Sequence, residues 1–182
     1  MAVQKSTKMK RVSLIRNEIV NTLNNNQNVK RYLTYFSNQP LELEGRLKDG
    51  TIINQPNVED DLVFEKPVII PTIFTETLLS EAKVIVFVHP HTGSLKELDI
   101  GKQVYLIEIV CPSQYYLLYE NEDRSLNIAC ELMNELDQEL VGGNGFERYN
   151  FSNFQLSRLS NTSDYSVLSL FVEVNALTMK MR

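Results

Sequence analysis

The sequence predicts a single α+β domain. A mostly antiparallel or mixed sheet is packed by an N-terminal helix and one main helix in the C-terminal half. Three observations lead there. From Lys102 to Ala176 the chain reads as strand, loop, amphipathic helix, double-glycine stop and two closing strands. Val12, Ile15, Ile19, Val20 and Leu23 recur at helical spacing near the start. Val84 to Val88 form a near-continuous β-prone run, the mark of a strand covered on both faces.

Taken in order, residues 1–10 show no apolar periodicity and read as a flexible basic arm, with the folded domain over 11–182. The first helix starts near Val12 and ends at Asn24–Asn28, because asparagine side chains bond the nearby backbone and favour turns. Val29, Tyr32, Leu33 and Phe36 suggest a short second helix. Residues 41–79 hold Pro56, Pro67 and Pro71 and read as an extended insertion. Asp49-Gly50 accepts the positive φ of a tight turn, so a hairpin is expected around it.

A strand is expected over Lys83–His89, with His89-Pro90-His91-Thr92-Gly93 turning the chain, and a second over Gln103–Cys111 before Pro112. The main helix is expected over Arg124–Leu140. Leu126, Ala129, Met133, Leu136 and Leu140 form its apolar stripe, flanked by Cys130 and Leu132, and Asp123 or Asn121 caps its start. Gly142-Gly143 ends it. Strands are then expected at Phe154–Leu159 and Leu168–Ala176. In the second, the apolar even positions and mostly polar odd ones indicate a half-buried antiparallel strand.

At 182 residues the chain suits one core rather than two. No apolar run approaches the ~20 residues of a bilayer span, and no apolar segment follows the first lysines, so neither a transmembrane helix nor a secretory signal is expected. Cys111 and Cys130 lack metal-ligand spacing and read as small buried hydrophobes in a reducing compartment. The net charge of −5 hides an asymmetry. Lys5, Lys8, Lys10, Arg11, Arg16, Lys30 and Arg31 fall in the first 31 residues against a single acid, Glu18, and the acids cluster later. A basic end on an acidic body suits docking between identical subunits, and it also suits an arm touching nucleic acid.

No constellation points to catalysis, a cofactor or a metal. His89 and His91 are the two histidines of the chain, and a metal site needs three or four ligands. There is no G-x-S-x-G, and no cysteine stands in an activating setting. Glu59-Asp60-Asp61 reads as a solvated loop, and Glu120–Asp123 as acids favoured ahead of a helix. Gly142–Gly145 follows a helix, whereas phosphate loops precede one. Tyr115, Tyr116 and Tyr119 sit beside acids that repel phosphate and fit packing or a subunit contact better than base stacking.

Asp123-Arg124-Ser-Leu-Asn-Ile-Ala-Cys-Glu-Leu-Met-Asn-Glu-Leu, preceded by a proline-ended strand and followed by the glycine turn and two strands, resembles the phage tail terminator and neck-completion family. The helix from Arg11 to Leu23 is similar to the start of such proteins. The resemblance implies a non-enzymatic structural virion protein, assembled in the host cytoplasm. It further implies a homo-oligomeric ring at the head–tail junction or tail end, meeting portal, adaptor or tail-tube proteins, with DNA passing through the lumen and not specifically held. The expected contact residues are Lys8, Lys10, Arg11, Arg16, Tyr115, Tyr116, Tyr119 and Arg124. Two alternatives stay open: a small metal-dependent enzyme using His89 and His91, and a DNA-binding accessory factor using the basic N-terminal arm.

Overall fold

A computed structural model describes residues 2–35, 39–41, 44–46, 52–54, 69–71, 84–95, 100–137, 147–158 and 164–176. Helices α1 (Ala2–Asn25) and α2 (Gln27–Thr34) lead into a small hairpin of β1 (Glu44–Arg46) and β2 (Ile52–Asn54). Then come β3 (Ile69–Ile70), β4 (Ile85–Leu95), β5 (Ile100–Pro112), two single-turn 3₁₀ segments, α3 (Arg124–Leu136), β6 (Glu147–Arg158) and β7 (Tyr165–Ala176). The main sheet has the order β3-β4-β5-β7-β6. Only β3 to β4 is parallel, so the sheet is mixed. The fold is α+β, with the helices packed on the sheet. Among the described residues no helix is long and apolar enough to cross a membrane.

The helices cover one face of the sheet. Val12, Ile15, Ile19 and Leu23 of α1 are buried there with Val84, Val86, Val88, Ile107, Ile109, Leu168, Leu170 and Val172. Each such side chain taken from water is worth ~1.5–3 kcal/mol before entropy is charged against it. The hydroxyl of Tyr105 lies in this layer and donates to the carbonyl of Val12 at 3.0 Å, which ties β5 to α1. The second face carries a smaller buried cluster of Ile85, Phe87, Val110 and Val167. The run Val84–Val88 is therefore covered on both sides, as its composition predicts.

The asparagine run does more than end α1. Asn26 caps α2 by accepting from the Val29 amide at 3.0 Å. Its amide nitrogen and that of Asn28 reach Glu131 at 3.3 and 3.0 Å, clamping the α1–α2 corner onto α3.

Several boundaries differ from expectation. The basic arm expected over 1–10 has helical backbone from Ala2. The hairpin around Asp49-Gly50 has its paired strands in β1 and β2, with the turn itself outside the described residues. The rest of the insertion, residue Leu140 and the Gly142–Gly145 stop also lie outside them. The segment His89–Gly93 is no turn but continues β4, with a bulge between Pro90 and Thr92. Proline is tolerated there for a physical reason. Two-residue β3 pairs only with Val86 and Phe87, so beyond them β4 is an edge on that side among the described elements. Strands β5, β6 and β7 begin earlier than read, at Ile100, Glu147 and Tyr165.

The phase of α3 differs too. Its buried row is Arg124, Ser125, Ile128, Ala129, Leu132 and Leu136, whereas Leu126, Cys130 and Met133 are exposed. Cys130 is therefore not a core residue, although Cys111 is.

Candidate subunit interface

The best-built feature of the surface is the segment between β5 and α3. It leaves β5 through a 3₁₀ turn at Ser113–Tyr115, makes a second at Tyr119–Asn121 and enters α3 at Arg124. Leu117 and Asp123 bridge across its neck, and the Leu118 amide donates to the Glu122 carbonyl at 2.8 Å. Glu120 and Asn121 both take left-handed backbone, with φ of 59° and 63°. Asparagine accepts that conformation readily and glutamate does so seldom, so the neck must hold the loop.

Arg124 and Asp123 do the holding. Arg124 is fully buried. Its Nε donates to the Tyr115 carbonyl at 2.7 Å, and Nη1 donates to the carbonyls of Tyr32 at 2.7 Å and Tyr35 at 2.9 Å. The last two belong to the end of α2, where the helix dipole favours a cation. Burial lowers the guanidinium pKa from its ordinary value. Asp123 caps α3, accepting from Ser125 N at 3.0 Å and Ser125 Oγ at 2.7 Å. Its other oxygen accepts from the Tyr116 hydroxyl. Burial, and then that carboxylate, push the Tyr116 phenol up to about 12.

The result is a fixed knob presenting Leu117, Tyr119, Glu120 and Glu122 to solvent, with Leu117 57% exposed. Elsewhere the outer face of α1 presents Lys10 and Arg11 beside Leu14, which is 66% exposed. The molecule thus carries an acidic surface and a basic one, each with an exposed leucine.

Of the eight expected contact residues, Lys10, Arg11 and Tyr119 are exposed. Arg16 is half-buried and donates to the Pro71 carbonyl at 3.3 Å. Tyr115 and Tyr116 pack partly against the core. Arg124 is a correction: buried against three carbonyls, it cannot touch a partner, and it acts by holding the knob that can. The side chain of Lys8 lies outside the described residues. Sequence reasoning missed Leu14, Leu117, Phe154 and Leu156, all half-exposed or more. One signal for the last two was available: Tyr149–Ser157 is an uncharged run with neither proline nor lysine.

The histidines do not converge. His89 is buried on the second face, with Nδ1 at 3.2 Å from the Pro90 carbonyl and Nε2 at 3.3 Å from Glu108. Both nitrogens meet oxygens. His91, at the bulge, stands edge-on to Phe171 with ring centres 5.6 Å apart. Among the described residues no three His, Cys, Asp or Glu side chains come together as metal ligands.

A family model described as YomW matches residues 26–174, from the α2 cap to the end of the buried sheet. The chain belongs to the YomW family. That family is phage-derived, which makes this a phage-associated protein. No curated protein matches the chain significantly. One solved structure with no functional description is similar at 9% identity, covering 53% of this chain and 70% of its own, with a TM-score of 0.34. A likeness that loose carries no argument.

Proposed function

We propose that this protein is a structural component of the phage particle whose copies close into a ring at the head–tail junction or the tail end. It would act as a tail terminator or neck-completion protein, without catalysis. The observation that carries this reading is the pair of complementary surfaces. A ring requires a heterologous contact, in which one face meets a different face of the next copy. The basic α1 surface of Lys10, Arg11 and Leu14 and the acidic knob of Leu117, Tyr119, Glu120 and Glu122 supply two such faces. Opposite charge steers them together and fixes their register, while the leucines and Tyr119 supply area to desolvate.

Membership in a phage-derived family supports the setting, and the charge supports the passage of DNA. A body with net charge −5 does not hold phosphates by counterion release as a basic lumen would. In the assembled particle the ring's two open ends would meet portal or adaptor proteins on one side and tail-tube proteins on the other.

Native mass spectrometry and negative-stain imaging test the ring directly. The double variant Lys10→Glu/Arg11→Glu and the double variant Glu120→Lys/Glu122→Lys should each disperse it. Combining all four should restore it, because the contact is reversed rather than removed. Wild-type protein that stays monomeric across micromolar concentrations overturns the proposal, as does a ring indifferent to both reversals.

A further inference from the structure

We propose that Leu14 is the key of the subunit contact and that the groove between the knob and β6 is its lock. The inference rests on the ring reading above. In it, α1 of one copy lies across that groove of the next and seats Leu14 between the partner's Leu117 and the partner's Leu156.

The groove follows from the phase of α3. On one side of that helix Glu131 accepts from Asn26 and Asn28 at the α1–α2 corner. On the other side lie Leu126, Met133 and Asp137, at helical steps of seven and four. Asp137 accepts from the Phe151 amide at 3.4 Å, so this row flanks β6. Phe154 and Leu156 stand opposite Leu170 and Leu168 and share the helix-covered side of the sheet. They are nonetheless 63% and 50% exposed. α3 stops short of them, and the space beside it is an apolar trough. Asp137 closes it at the Tyr149 end. At the knob end it opens into a groove of about 400 Å³ between Leu117 on one wall and Leu156 and Arg158 on the other.

Apolar inventory and charge identify the occupant. Six of the seven exposed large apolar side chains among the described residues border the trough or the knob beside it. The seventh is Leu14, which stands apart on α1. Scattered surface leucines are ordinary, so the neighbours of this one decide. Lys10 and Arg11 precede it by one turn, and half-buried Glu18 follows it by one turn. On the receiving surface Glu120 and Glu122 adjoin Leu117, and Arg158 adjoins Leu156. The helix reads cation, leucine, acid; the groove reads acid, leucine pair, cation. The spacings agree as well. Four helical residues rise about 6 Å. Leu156 and Arg158 are about 6.6 Å apart along their strand. Leu117 is bridged across the neck to Asp123, beside Glu122, at ~5 Å. α1 laid with Lys10 toward the knob matches all three positions, whereas the reversed helix sets Glu18 against the partner's Glu120 and the partner's Glu122. The contact joins two different faces, as closing a ring requires.

Cross-linking of the full chain tests the seating. In a Cys130→Ser background, Leu14→Cys and Leu156→Cys are made as two separate proteins. Oxidised alone, each should stay uncoupled. Mixed, they should give a covalent dimer, because the two positions meet only between different faces. Gln155→Cys is the control: it pairs beside Ser169 on the other side of the sheet and should not couple to Leu14→Cys. In sedimentation velocity, Leu14→Ser and Leu156→Ser should each weaken assembly by at least about tenfold. Both positions are exposed, so the thermal unfolding of each variant should match wild type. A ring that forms normally in both serine variants, with no mixed cross-link, sinks the seating and leaves the ring standing on its charges. Wild-type protein that stays monomeric sinks both. Dimers of Leu14→Cys alone, or equal coupling to Gln155→Cys, also overturn the seating.

Discussion

Arg124→Met isolates what the buried guanidinium does, because methionine keeps the length and packing of the stem while removing every donor. Three carbonyls lose their partner: Tyr115, Tyr32 and Tyr35. A hydrogen bond to a charged group contributes ~1.5–3 kcal/mol, and bonds that share one side chain add less than their sum. Relief from burying the charge offsets part of the loss, leaving ~3–5 kcal/mol. Against the ~5–15 kcal/mol of a typical domain, that is a large fraction. Urea unfolding at neutral pH reads it directly. With a slope near 2 kcal/mol/M the midpoint should fall by about 1.5–2.5 M. Arg124→Lys keeps the charge but not the fork that spans two elements, so its loss should be about half. Exposed Arg158→Met should cost under ~0.5 kcal/mol. Hydrogen exchange should locate the damage, with the Leu118 and Arg124 amides losing protection before those of β5 and β7. If Arg124→Met matches wild type as closely as Arg158→Met does, the guanidinium is not the tie described here.

Three further outcomes follow from the same packing. Burial pushes the Cys111 thiol up to about 12 from 9.0, so the unfolded chain gives up that proton first. Stability should then fall as pH rises from 9 to 12, by at most ~4 kcal/mol from this group, and Cys111→Ala should flatten that slope in pH-dependent urea melts. Cys130 is exposed and Cys111 buried, so a thiol reagent should titrate one group at once and the second only on unfolding; two fast groups would contradict the core. A methyl at Gly93 would overlap the carboxamide of buried Gln103. Gly93→Ala should therefore cost ~1–2 kcal/mol in thermal unfolding, and an additional Gln103→Ala should recover most of it.

What the sequence revealed depended on whether one pattern could be read in only one way. Val84–Val88 could: five consecutive β-prone residues fit only a strand covered on both faces. His89–Gly93 could not, since proline and glycine signal a turn unless the neighbouring strand has already ended, and the length of β3 is not visible in a local reading. α3 was found but its phase was not. Its residues hold two apolar rows, Ile128–Leu132–Leu136 and Leu126–Cys130–Met133, and periodicity alone cannot rank them. The buried row begins with Arg124, a residue that hydropathy places outside, because three carbonyls from other elements await it. The knob at 117–122 was invisible for the same reason: its rigidity comes from contacts with α2, roughly 90 residues away in sequence.

The proposed ring contact has a salt dependence that separates it from an apolar one. Lys10 and Arg11 against Glu120 and Glu122 is a solvent-exposed charge contact, screened over ~10 Å at 0.1 M salt and ~3 Å at 1 M. Contacts resting on buried apolar area are scarcely weakened by salt and can be strengthened. Raising salt from ~0.1 to ~1 M should therefore disperse the ring in sedimentation velocity, and dialysis back to low salt should rebuild it. A ring that persists unchanged at ~1 M salt would remove the charged faces from the contact.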